Sequence, residues 1–122
     1  MFIEYNQNTC KKRTIDCTVR ALATLLGESW DKVYIKLCLE GFELCDMPSS
    51  KAVVDSFLFE NGFAKKIPPN GITVRDFSER HPRGRYLLAT DSHVVPAISG
   101  NYVDTWDSGM EPVLFYWEDI KK

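Results

Sequence analysis

Hydrophobic positions along the chain change their spacing near Gly84, from a helical rhythm of three and four to an alternation close to two. The first helix is predicted from Asp16 or Cys17 through Leu26, because Val19, Leu22, Ala23 and Leu26 share one face. Asp16 is its predicted N-cap and Gly27 its left-handed stop. Ser29 caps a second helix, whose residues Trp30, Val33, Tyr34, Leu37 and Cys38 keep the rhythm until Gly41. A third helix spans Ser50 to Asn61, and after the loop Ile67 to Gly71 a short fourth begins at Thr73 and ends ahead of Pro82. Strands follow at Arg85 to Thr90, His93 to Ile98, Asn101 to Trp106 and Val113 to Trp117, with connections short enough for an antiparallel meander. Helices first and strands later predict an α+β domain, with N-terminal helices packed on one face of a C-terminal antiparallel β-sheet.

The chain has 122 residues, 44% of them hydrophobic, which suits a single domain over residues 1–122 that needs no disulfide or metal to fold. Fifteen Lys and Arg stand against 17 Asp and Glu, for a net charge of -2, which argues against a nucleic-acid binder. The basic clusters Lys11-Lys12-Arg13, Lys65-Lys66 and Arg80 to Arg85 read as solvated loops. No signal-peptide pattern opens the chain, and the apolar stretches Val19 to Leu26 and Leu114 to Trp117 are too short to span a membrane. The expectation is a cytoplasmic protein with no membrane partner, whose four cysteines, Cys10, Cys17, Cys38 and Cys45, are thiols. Their spacings do not suit a zinc knuckle, and no phosphate-cradling loop is present, so no metal or other cofactor is implied.

Cys17 carries the most chemistry. It falls in the first turn of a helix, where free amides and the helix dipole favour the nucleophilic thiolate. A thiol nucleophile needs a base, and His93, at the start of a predicted central strand, is better placed than His81 in a helix-ending loop. A third group must orient that imidazole. If a two-residue turn at Ser99-Gly100 or Gly100-Asn101 joins the flanking strands, His93 and Asp104 face the same way. With Ser99-Gly100, Asp104 becomes a diagonal neighbour of His93; a three-residue loop reverses the parity and makes Asp107 the partner.

The run Asp16-Cys17-Thr18-Val19-Arg20-Ala21-Leu22, followed downstream by His93-Val94-Val95 and Tyr102-Val103-Asp104, resembles the papain-like cysteine peptidase superfamily. It is most similar to the bacteriocin-processing branch and to small papain-like proteins of phages and bacteria. The resemblance covers about Asn8 to Trp117 and implies a papain-like fold, with Cys17 as nucleophile, His93 as general base and acid, and Asp104 as orienting carboxylate. The family usually carries a Gln about six residues before the Cys, which helps bind the oxyanion; here Lys11 holds that place, and Gln7 and Asn8 are the nearest amides. Thr18 also stands where the bacteriocin-processing branch has Gly, and Arg20 is expected to pair with Asp16 or another carboxylate.

The resemblance implies a cysteine peptidase or related thiol hydrolase acting on a peptide, isopeptide or amide bond of a protein or peptide substrate. The alternative is a non-catalytic papain-like binding protein, such as a phage-encoded inhibitor of a host factor, with a host protein as its target. Specificity in a chain this short is expected from loops such as Glu43 to Ser49 and Ile67 to Gly71.

Overall fold

The computed structural model describes residues 1–120 and, among them, four helices and six strands. In chain order these are β1 (Phe2–Glu4), α1 (Cys17–Leu26), α2 (Trp30–Glu43), α3 (Lys51–Glu60), β2 (Phe63–Lys66), α4 (Val74–Arg80), β3 (Arg85–Ala89), β4 (Val94–Ile98), β5 (Asn101–Asp104) and β6 (Phe115–Asp119). The strands form one sheet in the order β1-β5-β4-β3-β6-β2. Its pairs are antiparallel except for β1, which runs parallel to β5. The α+β class stands, and the antiparallel sheet expected from the sequence is corrected to a mixed one.

Local chemistry explains the helix boundaries. The hydroxyls of Ser29, Ser50 and Thr73 each accept the backbone N–H three residues on, all at 3.2 Å, satisfying amides that the first helical turn leaves unpaired. Gly27 ends α1 in the left-handed conformation, with φ at 64°. Asp16 precedes α1 but does not cap it with its side chain. Its carboxylate is drawn away by Asn8, Arg20 and Trp30.

Alternation along the strands divides the buried side chains between two cores. On one face Leu87 and Trp117 pack with Leu22, Leu25, Leu37 and Leu58 from the first three helices. On the other, Tyr86, Leu88, Val95 and Tyr102 pack with Val74 and Phe77 of α4. The expected single helical layer is therefore wrong: α4 covers the opposite face. The runs Tyr86 to Ala89 and Val95 to Ala97, buried without interruption, are what a strand covered on both sides looks like.

The meander ends after β5, because β6 returns beside β3. Two edge strands, β1 and β2, lie where no strand is predicted from the sequence. Lys65-Lys66, read as a solvated loop, belongs to β2: Lys66 pairs with Glu118 on β6, and the Lys65 ammonium lies 4.2 Å from the Phe115 ring. Lysines on a short edge strand discourage pairing with other chains.

Helix α2 continues past Gly41, its expected end, to Glu43. Gly41 serves a close approach: a Cβ there would stand 2.7 Å from the Asp46 carbonyl oxygen and 3.1 Å from the Pro48 nitrogen. The chain leaving α2 folds back on this point, and the Asp46 N–H donates to the Gly41 carbonyl at 2.9 Å. Gly41→Ala is expected to destabilise the protein by about 1–3 kcal/mol through overpacking, despite the ~1 kcal/mol that Ala gains over Gly inside a helix. The urea midpoint reports the sign, and a more stable variant would refute the close approach.

Candidate active site

Cys17 is the first residue of α1, so the thiol sits where the helix presents amides without intrahelical acceptors. The helix packs on β4. That placement brings the thiol beside the His93 ring and the Val94 backbone N–H, the two neighbours that do most to lower it. His93 is anchored by the turn before β4, where Thr90 donates both its N–H (2.9 Å) and its hydroxyl (3.2 Å) to the His93 carbonyl.

The turn between β4 and β5 is Ser99-Gly100, with Ala97 opposite Tyr102 and Ile98 opposite Asn101. Both turn residues have positive φ, 52° and 82°, as a type I′ hairpin requires. In this register Asp104 is the diagonal neighbour of His93. The His93 Nε2–H donates to Asp104 Oδ2 at 2.6 Å, which leaves Nδ1 as the ring nitrogen not taken up by Asp104. The Trp106 ring, across from His93, lies 5.3 Å from the imidazole.

Asp107 is not part of this arrangement, which corrects the three-residue-loop alternative. Its Oδ1 accepts the Tyr102 hydroxyl at 2.6 Å and the Gly109 N–H at 2.9 Å. His81 is elsewhere too, at the end of α4, with Nδ1 2.7 Å from the Phe77 carbonyl and its ring stacked on Phe77.

Asp104 is 1% exposed and its oxygens are fully engaged. Oδ1 accepts the Thr105 N–H at 2.7 Å and Arg20 Nη1 at 3.2 Å; Oδ2 accepts the Ser108 hydroxyl at 3.0 Å beside the His93 bond. Arg20 Nε also donates to Asp16 Oδ1 at 2.8 Å. Asp16 Oδ2 accepts Asn8 Nδ2 at 3.1 Å and Trp30 Nε1 at 3.0 Å. Arg20 thus pairs with both carboxylates, and a line of hydrogen bonds runs from Trp30 through Asp16, Arg20 and Asp104 to His93. Trp30 and Ser108 are missed by sequence reasoning. A half-buried indole needs an acceptor for its N–H, and that requirement is the signal in Trp30.

The two candidate oxyanion amides part company. Gln7 donates its Nε2–H to the Thr24 hydroxyl, seven residues and about 10 Å along α1 from Cys17, so it is not brought to the thiol. Asn8 is buried beside the start of α1, with one amide hydrogen on Asp16 and a second left over. Because the Asp16 carboxylate is diverted, the first-turn amides of α1 are also free of a side-chain cap.

Burial pushes the Cys17 thiol up, but hydrogen bonds from His93 and the Val94 N–H, with the charges of His93 and Arg20, outweigh it and bring the thiol below its ordinary range. The bond to Asp104, then that to Cys17, lifts His93 to about 9 against the opposing effect of burial. Burial likewise pushes Asp104 up, and the His93 bond and charge, the Thr105 N–H and Arg20 more than reverse it. The three directions all favour a thiolate paired with an imidazolium above a carboxylate.

These shifts predict a pH dependence that is simplest in Cys17→Ala, where Asp104 still raises His93. A group raised on folding stabilises fully below its unfolded pKa and loses that contribution as pH climbs to the folded value. The thermal midpoint of Cys17→Ala is expected to fall as pH rises above about 6.5. Adding Asp104→Asn should flatten that slope, and an equal slope in both proteins would contradict the His93–Asp104 pair.

All four cysteines are free thiols. Among the described residues no cluster of His, Cys, Asp or Glu is arranged to hold a metal ion, and no helix is long and apolar enough to cross a membrane. Comparison with protein-family models, curated proteins and solved structures gives no match to this chain.

Proposed function

We propose that this chain is a small papain-like thiol hydrolase that cleaves an amide bond in a peptide or isopeptide. One observation carries the reading: the Cys17 thiol, at a helix N-terminus, is lowered by its neighbour His93, whose Nε2 is held at 2.6 Å by the buried carboxylate of Asp104. The Cys17 thiolate attacks the substrate carbonyl, and the oxyanion that forms is met by the Cys17 backbone N–H and the spare amide hydrogen of Asn8. The His93 imidazolium then protonates the leaving nitrogen as the C–N bond breaks. Water, deprotonated by His93, attacks the thioester, and the acid departs as Cys17 recovers its paired form. Asp104 keeps the imidazole in one tautomer throughout.

A thiol lowered by an adjacent, oriented imidazole, beside an open groove, favours this chemistry over the binding-protein reading. Free cysteines at all four positions suit a reducing compartment such as the cytoplasm. The test is cleavage of a mixed peptide library and isopeptide-linked conjugates, read by mass spectrometry as new termini. The wild type is expected to cut and Cys17→Ala to leave every substrate intact. Equal cleavage by both proteins, or none by the wild type, would sink the proposal.

A further inference from the structure

Helix α2 is apolar on two sides. Val33, Leu37 and Gly41 are buried against the rest of the protein. On the far side Ile35, Leu39 and Phe42 keep the i, i+4, i+7 spacing of a second packing stripe, yet they are 59%, 58% and 82% exposed. Single apolar residues on a surface need no explanation, but three large side chains in a row along a helix are what one helix presents to another.

The charges beside this stripe run against the helix. After Asp31 in the first turn, Lys32 and Lys36 occupy the first half of α2 and Glu40 and Glu43 the second, with no base in the last turn. The helix dipole favours the reverse order, acids first and bases last. Nor does the chain itself account for them. Among the described residues Lys32 and Glu43 form no ion pair, while Lys36 holds Glu28 and Glu40 accepts the Ser56 hydroxyl at 2.6 Å. Glu60 of α3 lies beside the acidic end, where Glu40, with Glu43, raises its carboxyl above the usual range.

An antiparallel copy of the same helix accounts for this order. When Ile35 of one copy meets Phe42 of the other, Leu39 lies beside the two-fold axis. Glu43 then falls opposite position 34 of the other copy, midway between its Lys32 and Lys36, with each lysine about 3 Å away along the helix axis at a rise of about 1.5 Å per residue. Lys32, Lys36 and Glu43 share one flank of the stripe, and the two-fold axis brings like flanks together. A parallel pairing would instead set lysine against lysine and glutamate against glutamate.

We infer that the outward face of α2, formed by Ile35, Leu39 and Phe42 with Lys32, Lys36 and Glu43, is the interface of a homodimer in which α2 packs antiparallel against α2 of a second copy. The pairing is isologous, so it closes on two chains and leaves no open face. It involves one helix from each side, a small contact, and the dimer therefore dissociates on dilution. This interface stands independently of the thiol-hydrolase reading.

Sedimentation equilibrium of the full chain, from about 5 to about 500 μM, provides the test. The wild type is expected to reach twice the chain mass at the upper end of that range. Leu39→Glu, at an exposed position, should weaken the dimer by at least about 10-fold. Two charge variants are specific to the antiparallel geometry: Lys32→Glu with Lys36→Glu in one chain, and Glu43→Lys in another. Both place charge where the helix dipole favours it, so neither threatens the fold. Each variant alone is expected to stay monomeric, and an equimolar mixture of the two to dimerise at least as tightly as the wild type. A wild type that stays monomeric at about 500 μM would overturn the inference and leave this face to a different protein. A mixture that fails to dimerise, or charge variants that each dimerise as well as the wild type, would overturn it too, because the contact would then lie elsewhere or run in parallel.

Discussion

Replacing His93 by Ala is expected to stop amide hydrolysis, lowering kcat/KM by on the order of 10⁴-fold or more. The imidazole does three jobs in the proposed cycle, pairing with the thiolate, delivering a proton to the leaving nitrogen and deprotonating the water, and Ala removes all three. Without it Cys17 keeps the burial that raises its pKa and loses the strongest influence that lowers it. At pH 7 an unassisted thiol is only a few per cent thiolate. Alkylation of Cys17 by iodoacetamide at pH 7 should therefore slow by at least about 10-fold in the variant. Circular dichroism would establish that the variant is folded, and an unchanged alkylation rate in folded His93→Ala would mean that something else activates the thiol.

Arg20→Ala is expected to cost about 3–5 kcal/mol of stability, more than the loss expected of Gly41→Ala. Arg20 is 7% exposed and lies between two carboxylates that are themselves buried, Asp16 and Asp104. Removing it leaves like charges in the interior, each short of a donor, and that penalty is larger than the net worth of the intact pairs. Urea unfolding measures the loss, and a change under 1 kcal/mol would show that the network is better screened than its burial implies. The same variant should misplace Asp104 and, through it, His93. Alkylation of Cys17 in the folded fraction is then expected to slow as well, an effect that a general loss of stability would not produce.

Much of this arrangement was legible in the residues, and the reasons differ from element to element. Ser29, Ser50 and Thr73 announce their helices because a hydroxyl at an N-cap has few other uses so close to an apolar repeat. The choice between Asp104 and Asp107 depended on a single residue of turn length, since one added residue reverses the face of everything after it. Ser99-Gly100 settles it: Gly takes positive φ without strain, and the turn holds Ser99 there as well. Arg20 was expected on a carboxylate because it lies one turn from Asp16, but its second bond, to Asp104, spans 84 positions in the chain and has no local sign.

What escaped the sequence was set by distant packing. Strand β1 has three residues and no room for a period, yet it supports the site: Glu4 pairs with Asp104, and the Tyr5 N–H donates to the Asp104 carbonyl at 2.9 Å. The placement of α4 on the far face followed from strands buried on both sides, whose unbroken apolar runs carry no direction. Asp16 looked like a cap by position, and three donors from other parts of the fold claimed it instead. Gln7 and Asn8 are adjacent in sequence, but only Asn8 is held against the start of α1.

The central claim is that Cys17 is an activated nucleophile, and its alkylation rate between pH 8 and pH 6 tests this most directly. Iodoacetamide, with peptide mass spectrometry to resolve the four cysteines, provides the measurement. An unperturbed thiol with a pKa near 8.5 would slow by roughly 75-fold across that interval. Cys17 is predicted to react first and to slow by far less, because His93 and the Val94 N–H stabilise its thiolate. A Cys17 rate that falls by as much as the unperturbed thiol's, or faster labelling of Cys10, Cys38 or Cys45 at pH 6, would contradict the account.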